Sequence, residues 1–442
     1  MNPELQRYLW LEFTPQRLLV TPVLLLALFA LVHLLADQNA LRAMAVAAYW
    51  VVVAVGVLWG GRLASEAVTA EVIEGTWDQQ RLCSLAPWSM TWAKLLGAPV
   101  ISWYACAPCL ALIALGARPQ AAPVDAALDA LLLAMIVLFC HAIGLLASLH
   151  VAARGRVVSA RPGMLLQLVG LACALPMLAV AASAFGGGWA GEVRWFAVPL
   201  SLPSFALGSV AAFTVWAVIG CQRLMRAELQ LRNSPWVWVA FVVFCMVYAA
   251  GWSWFAEQVA ALTINARRID ATGVALLSAH GTALALGYLM LLAERKDPVV
   301  WRRGLGALRA AHPGAALELT PRWACVLPLA AATAIGAWLA DSAGWLLCAS
   351  ALVFFVRDAG LVVMLNLGAR RERADTAAVL YLAVLYVLAP ALVRAAGGAA
   401  AGWLLPAVHG AVLPALLPGV LQAVLIWAVV RARWQRQQAA WA

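Results

Sequence analysis

Charge is what this chain has least of. Only 11% of its 442 residues are Asp, Glu, Lys or Arg, while 65% are hydrophobic. A water-soluble domain carries about 25% charged residues. So little polar surface excludes a soluble globular fold, and lipid is the solvent that accepts the rest. The apolar–polar alternation of barrel strands is also missing. The apolar runs are instead continuous over lengths that suit spanning helices, so the expected fold class is an all-α membrane protein. No phosphate loop of the form G-x-x-x-x-G-K-[ST] occurs, so any ATP motor must sit on another polypeptide. No H-x-x-x-H pair occurs either. His33, His141, His280 and His409 stand singly in or near apolar runs, where a hydrogen bond to a neighbouring helix is the expected role. The nine cysteines are scattered and form no disulfide framework. Cys106 and Cys109 make one C-x-x-C pair, with no second pair or nearby His to complete a metal set. Catalytic residues and a metal site are not expected. A removable signal is not expected, because Glu4, Arg7, Glu12 and Arg17 precede the first apolar run and no small-residue cleavage site follows it.

What is present organises these runs. Twelve spans are expected, near 18–36, 43–62, 95–117, 125–150, 163–186, 195–221, 235–255, 271–293, 323–340, 344–366, 375–396 and 406–430. Residues 3–14 have the pattern of an amphipathic interfacial helix. The net charge of +10 would point to nucleic acid in a soluble protein; here the basic residues lie in short loops, so no nucleic-acid partner is expected. With both ends placed in the cytoplasm, only Arg42, Arg118, Arg194, Arg267, Arg268 and Arg394 fall outside, and Arg357 falls within a span. That asymmetry obeys the positive-inside rule. Trp59, Trp189, Trp195, Trp236 and Trp345 stand at run ends, where an amphipathic ring prefers the headgroup layer.

The two halves resemble each other. Thr14-Pro15 opens the first span and Ser234-Pro235 the seventh, each a capping hydroxyl followed by Pro at the first helical position. Acidic segments bearing a Trp, Glu71 to Asp78 and Glu294 to Trp301, follow the second span of each half. Two six-helix repeats are therefore expected, 1–221 and 222–442, with long polar segments at 63–94 and 294–322.

Residues 71–97 carry the functional inference. The stretch starts charged, turns at Gly75-Thr76, runs amphipathic to Pro87 and reaches Lys94 at the next span. Such a segment can present polar groups to a partner at the membrane surface. It resembles the coupling region of ABC-2 type permeases on the residues Glu71, Gly75-Thr76, Trp77, Asp78, Pro87 and Lys94. The resemblance implies a permease subunit of an ABC exporter in a bacterial inner membrane, itself not an enzyme. It implies two copies of a cytoplasmic ABC ATPase as partners, with ATP and Mg on that subunit and no cofactor on this chain. ATPase contacts would fall on Glu71, Glu74, Gly75, Thr76, Trp77, Asp78 and Arg81, with Trp77 as the aromatic anchor, and on Asp297, Trp301 and Arg302 in the second half. The second half departs from the motif, with Pro298 and Val299 where a Gly-Thr is expected. Substrate would move by alternating access between two helical bundles. The resemblance also implies a re-entrant outer segment near Gly186-Gly187-Gly188.

Arg357-Asp358 lies within the tenth expected span, where charges are expensive and normally paired or pathway-lining. Adjacent helical residues point about 100° apart, so the two are not expected to neutralise each other face to face; an ion pair with another helix, a locally wet groove and a substrate contact are the roles left open. Two rival classes remain. An ion-coupled secondary transporter needs intramembrane carboxylates, and Asp358 and Asp129 are the only candidates. A membrane-embedded enzyme needs a cluster of Asp, Glu, His or Cys at one face, and none is evident.

Overall fold

The computed structural model describes residues 2–36, 39–83, 85–116, 123–153, 162–187, 191–252, 263–264, 267–367, 374–395, 403–406 and 411–441. Arg118, Gly188, Trp189 and His409 lie outside them. The described residues are mostly helical, and eight helices among them are long and apolar enough to cross a membrane, nine if one bent pair is a single span. The chain divides into two compact units, Met1–Val193 with Leu200–Asn233, and Arg194–Pro199 with Ser234–Ala442.

In the first unit α1 (Pro3–Glu12) is capped by Asn2, whose side chain accepts from the Glu4 amide. Pro at the first helical position then costs no hydrogen bond. Thr14 caps α2 (Pro15–Leu35) in the same way. No residue of α2 is buried, and Leu19, Leu24, Leu26, Leu34 and Leu35 are all exposed, as on a lipid-facing helix. The next helical run extends from α3 (Ala40–Val51) through a π-helical stretch to α4 (Gly61–Glu66) and α5 (Thr69–Ile73). It therefore runs well past the expected end at 62. The reason is local: Ser148 Oγ accepts from the Val68 and Thr69 amides, and the Thr69 hydroxyl donates to the Ser65 carbonyl, so polar backbone at the run's end is satisfied. After α6 (Trp77–Arg81), helix α7 (Pro87–Trp92) leads through residues 93–97 to α8 (Val100–Gly116), bent by 60°. Pro99 stands in the break, where its missing amide ends the ladder. Helices α9 (Pro123–Ala153) and α10 (Pro162–Gly187) follow; where the sixth span was expected to begin, the chain forms β1 (Glu192–Trp195) and β2 (Val198–Ser201), of which Arg194–Pro199 are counted with the second unit. Helix α11 (Leu202–Glu228) continues unbroken through residue 221, because Cys221, Gln222, Met225 and Glu228 all bury on one face.

The core of this unit joins Val52, Cys106, Ile113, Leu133, Ile136, Val137 and Val210. Small residues bring the helices close. Gly60 leaves no room for a Cβ beside Ser102 and His141, and His141 Nε2 lies 2.9 Å from the Gly56 carbonyl. Cys106 and Cys109 are buried free thiols, and Cys109 donates to the Ala105 carbonyl at 3.4 Å.

The second unit holds α12 (Trp236–Ala250), a two-residue antiparallel ladder of Thr263–Ile264 with Arg267–Arg268, and α13 (Ala271–Ala293), capped by Asp270. Helices α14 (Pro298–Arg309) and α15 (Pro313–Glu318) are short, followed by α16 (Val326–Leu339) and α17 (Trp345–Asn366). Then come α18 (Ala374–Ala383), α19 (Ala389–Ala395) and α20 (Val412–Trp441). Helices α12 and α16, at 15 and 14 residues, are shorter than the roughly 20 residues that about 30 Å of hydrocarbon needs. His280 Nδ1 on α13 meets the Ala330 carbonyl at 3.1 Å and the Thr333 hydroxyl at 2.9 Å, so it joins helices as the sequence led one to expect.

Candidate functional site

In the first unit α1, α5, α6 and the start of the third run converge on one carboxylate. Glu71 Oε1 accepts from Arg7 Nη2 at 2.7 Å and from the Tyr8 hydroxyl at 3.2 Å; Glu71 Oε2 accepts from Lys94 Nζ. Lys94 is fully buried and also donates to Gln80 Oε1 at 3.0 Å. Its Nζ stands 5.1 Å from the Trp77 ring centroid. Arg7 grips Glu4 through Nε at 3.1 Å and Nη2 at 2.7 Å. Two cations and two carboxylates therefore balance in one cluster, of which only Arg7 reaches solvent, and this is what makes the desolvation of Lys94 tolerable. Burial, with the Glu71 carboxylate beside it, pushes the Tyr8 phenol well above its usual range. The polar side of α1 thus faces inward, and Trp10 and Leu11 are exposed.

Trp77 is 4% exposed and packs among Val68, Met90, Leu145, Leu149 and Met225. Its Nε1 donates to Glu228 Oε2 at 3.3 Å, and Arg81 Nε donates to the Glu228 carbonyl at 3.0 Å. The side chains of Trp77 and Glu71 are both buried within the unit. The sequence suggested an anchor because an isolated Trp in a polar stretch resembles one, but the indole ring has Lys94 and an apolar pocket to cover it. Gly75 turns the chain with φ +74 in open space, and the Thr76 hydroxyl closes the turn by donating to the Glu71 carbonyl at 3.3 Å. What the turn exposes is Ile73, Glu74, Gly75, Asp78, Gln79 and Leu82, the last 88% exposed.

The corresponding segment of the second unit is built differently. Asp297 caps α14 by accepting from the Val299 amide at 2.9 Å, and Trp301 packs inward beside the cluster of Leu291, Trp323, Phe355 and Val363. Of the residues expected to touch a partner here, only Arg302 is exposed. Glu294 accepts from the Arg322 amide at 2.8 Å, and burial pushes its carboxyl up against the lowering influence of Arg322.

Arg357 and Asp358 on α17 are both fully buried, and here the expectation from helical geometry fails. Arg357 Nε donates to Asp358 Oδ1 at 2.8 Å, so the neighbours do neutralise each other. A Cα–Cβ separation of about 100° constrains only the root of a side chain. The long stem of arginine swings the guanidinium around to its neighbour. Asp358 Oδ2 also accepts from the Tyr288 and Tyr386 hydroxyls, each at 2.6 Å. Arg357 Nη1 donates to Gln422 Oε1 at 2.8 Å, and its plane lies 4.4 Å from the Phe354 centroid.

Sequence reasoning missed Glu4, Arg7, Tyr8, Gln80 and Glu228 around the first cluster, and Tyr288, Tyr386 and Gln422 around the second. A signal existed for two of them: Gln422 is a lone polar residue in the last apolar run, and Glu228 a lone acid among basic residues. Among the described residues no group of His, Cys, Asp and Glu could hold a metal ion. The chain matches no family model, and no curated protein or solved structure shows significant similarity to it.

Proposed function

We propose that this chain is the membrane-spanning permease of an ATP-driven exporter of the ABC-2 type, with twelve spans in two six-helix units, both ends in the cytoplasm, and substrate moved by alternating access. The observation that carries the reading is the construction of 71–94. An exposed turn, Ile73 to Leu82, is mounted on a buried cluster that locks α1, the second helical run, the third run and α11 together. Force applied to the turn reaches four helices at once, because a packed and ion-paired joint transmits displacement without yielding. A soluble ATPase carrying ATP and Mg would dock on Ile73, Glu74, Asp78 and Leu82; Glu71, Trp77 and Lys94 would stiffen the lever behind them.

The test is whether a soluble ABC ATPase co-purifies with this chain from its native membrane. Glu74→Lys combined with Leu82→Asp should weaken association by tens of fold, the loss expected when contacts worth about 2 kcal/mol are removed. Stimulated ATP hydrolysis should fall with it. Full association by the double variant would refute the docking face. If no ATPase co-purifies with the unaltered chain, an ion-coupled secondary transporter takes its place. The buried Asp358 with its two tyrosines is the feature that favours this second reading.

A further inference from the structure

Helix α14 carries the only group of exposed arginines in the described part of the second unit's long polar segment. Arg302, Arg303 and Arg309 are exposed on it, with exposed Arg295 just before it, and none of the four reaches a carboxylate among the described residues. On the helix, Arg302, Arg303 and Arg309 share one arc. Leu305 and Leu308, 44% and 61% exposed, occupy the adjoining arc. Trp301 stands on the leucine side of the helix, one turn before Leu305 and two before Leu308, beside the core of α13, α16 and α17, and Gly304 packs against Leu319.

Position decides what this outer face meets. Helix α13 is long and apolar enough to span a membrane and ends at Ala293, only four residues before α14 begins. Trp301 holds α14 against the ends of the spans. Its exposed face therefore stands next to the end of a candidate span, which is the boundary of hydrocarbon and headgroups when α13 crosses the membrane. An arc of unpaired arginine beside exposed leucine suits that boundary, with leucine dipping toward acyl chains and guanidinium groups reaching phosphate. A soluble acidic protein would match the charge but would leave the leucine arc at the membrane edge unexplained.

We propose that α14 is an anionic-lipid-binding helix, lying on the headgroups with Arg302, Arg303 and Arg309 on lipid phosphates and Leu305 and Leu308 in the layer beneath. The proposal does not rest on an ATPase partner. It makes the second polar segment a lipid sensor where the first is a docking lever.

Hydrogen exchange of the full chain in lipid nanodiscs tests it. In discs of phosphatidylcholine alone, the amides of 298–309 should exchange faster than in discs that include phosphatidylglycerol. Each arginine near an anionic surface slows exchange about fivefold, so the three together give on the order of a hundredfold. High salt should remove most of the difference. The triple variant Arg302→Gln, Arg303→Gln, Arg309→Gln should lose the lipid response with an unchanged melting temperature in detergent. The triple Lys variant should keep it. Equal exchange in both kinds of disc overturns the proposal, as does a Gln variant that still responds. Protection of α14 by a co-expressed ATPase in phosphatidylcholine discs, with no response to phosphatidylglycerol, assigns the face to protein and also overturns it.

Discussion

Arg7, Arg81 and Lys94 of the first unit each reach a carboxylate, whereas Arg295, Arg302, Arg303 and Arg309 of the second reach none among the described residues. Both segments follow a long apolar helix, and both hold acids, arginines and a tryptophan. The difference lies in where the charge goes. In the first it turns inward and becomes structure, leaving Glu74 and Asp78 as the exposed charge. In the second, Asp297 caps α14 and Glu294 braces Arg322, leaving four exposed arginines against one exposed acid, Glu318. Similar composition therefore produces surfaces of opposite sign, and two copies of one partner could not meet both through the same contacts.

The comparison breaks most sharply at Lys94. Lys94→Ala should leave Glu71 buried without its closest partner, at a cost of about 3–5 kcal/mol. The measurement is the melting temperature in detergent by fluorescence-detected chromatography. Replacing both partners, Glu71→Gln with Lys94→Met, should recover most of the loss, because no uncompensated charge then remains. A double variant as unstable as the single one would show that the cluster is not an ion-paired joint. The counterpart change, Arg302→Ala, should leave the melting temperature almost where it was.

Tryptophan sharpens the contrast at a similar scale. Trp77→Ala empties a buried pocket and removes the donor to Glu228, so about 3–5 kcal/mol of stability should go. Trp301 is only half buried, and Trp301→Ala should cost about 1–2 kcal/mol. Equal losses at the two positions would mean that α14 is as firmly built into its unit as α6.

How much of this was legible in the sequence follows from the physics of each feature. Apolar runs such as 271–293 predict a helix over Ala271–Ala293 directly, because lipid imposes length and composition on a span. The Asn2 and Thr14 caps with Pro15 are equally local. The fate of charge was not legible. Whether Glu71 meets solvent or Lys94 depends on a bend at Pro99 and on α1 folding back over the joint, and neither is written near residue 71. The Arg357–Asp358 pair failed for a related reason: helical phase fixes where a side chain starts, not where four rotatable bonds end. Gly75-Thr76, in contrast, announced its turn, because few residues other than glycine accept a φ of +74.

That turn supplies a smaller effect than Trp77. Gly75→Ala adds a methyl to open space, since nothing lies within 4 Å of where its Cβ would sit, so no contact is lost or strained. The whole cost is conformational, about 1–2 kcal/mol for holding an L-residue in the left-handed region. The melting temperature should fall by less than for Trp77→Ala, and by more than for Arg302→Ala. If the turn is the docking surface, Gly75→Ala should lower ATPase association out of proportion to this loss, because a shifted turn moves Glu74 and Asp78 together. If it is only a connection, stability and association should fall in step. Exposed Gly306 on α14 is the control: it too has nothing within 4 Å, but it stands in ordinary helical backbone. Gly306→Ala should raise stability slightly, by up to about 1 kcal/mol, and leave ATPase association unchanged.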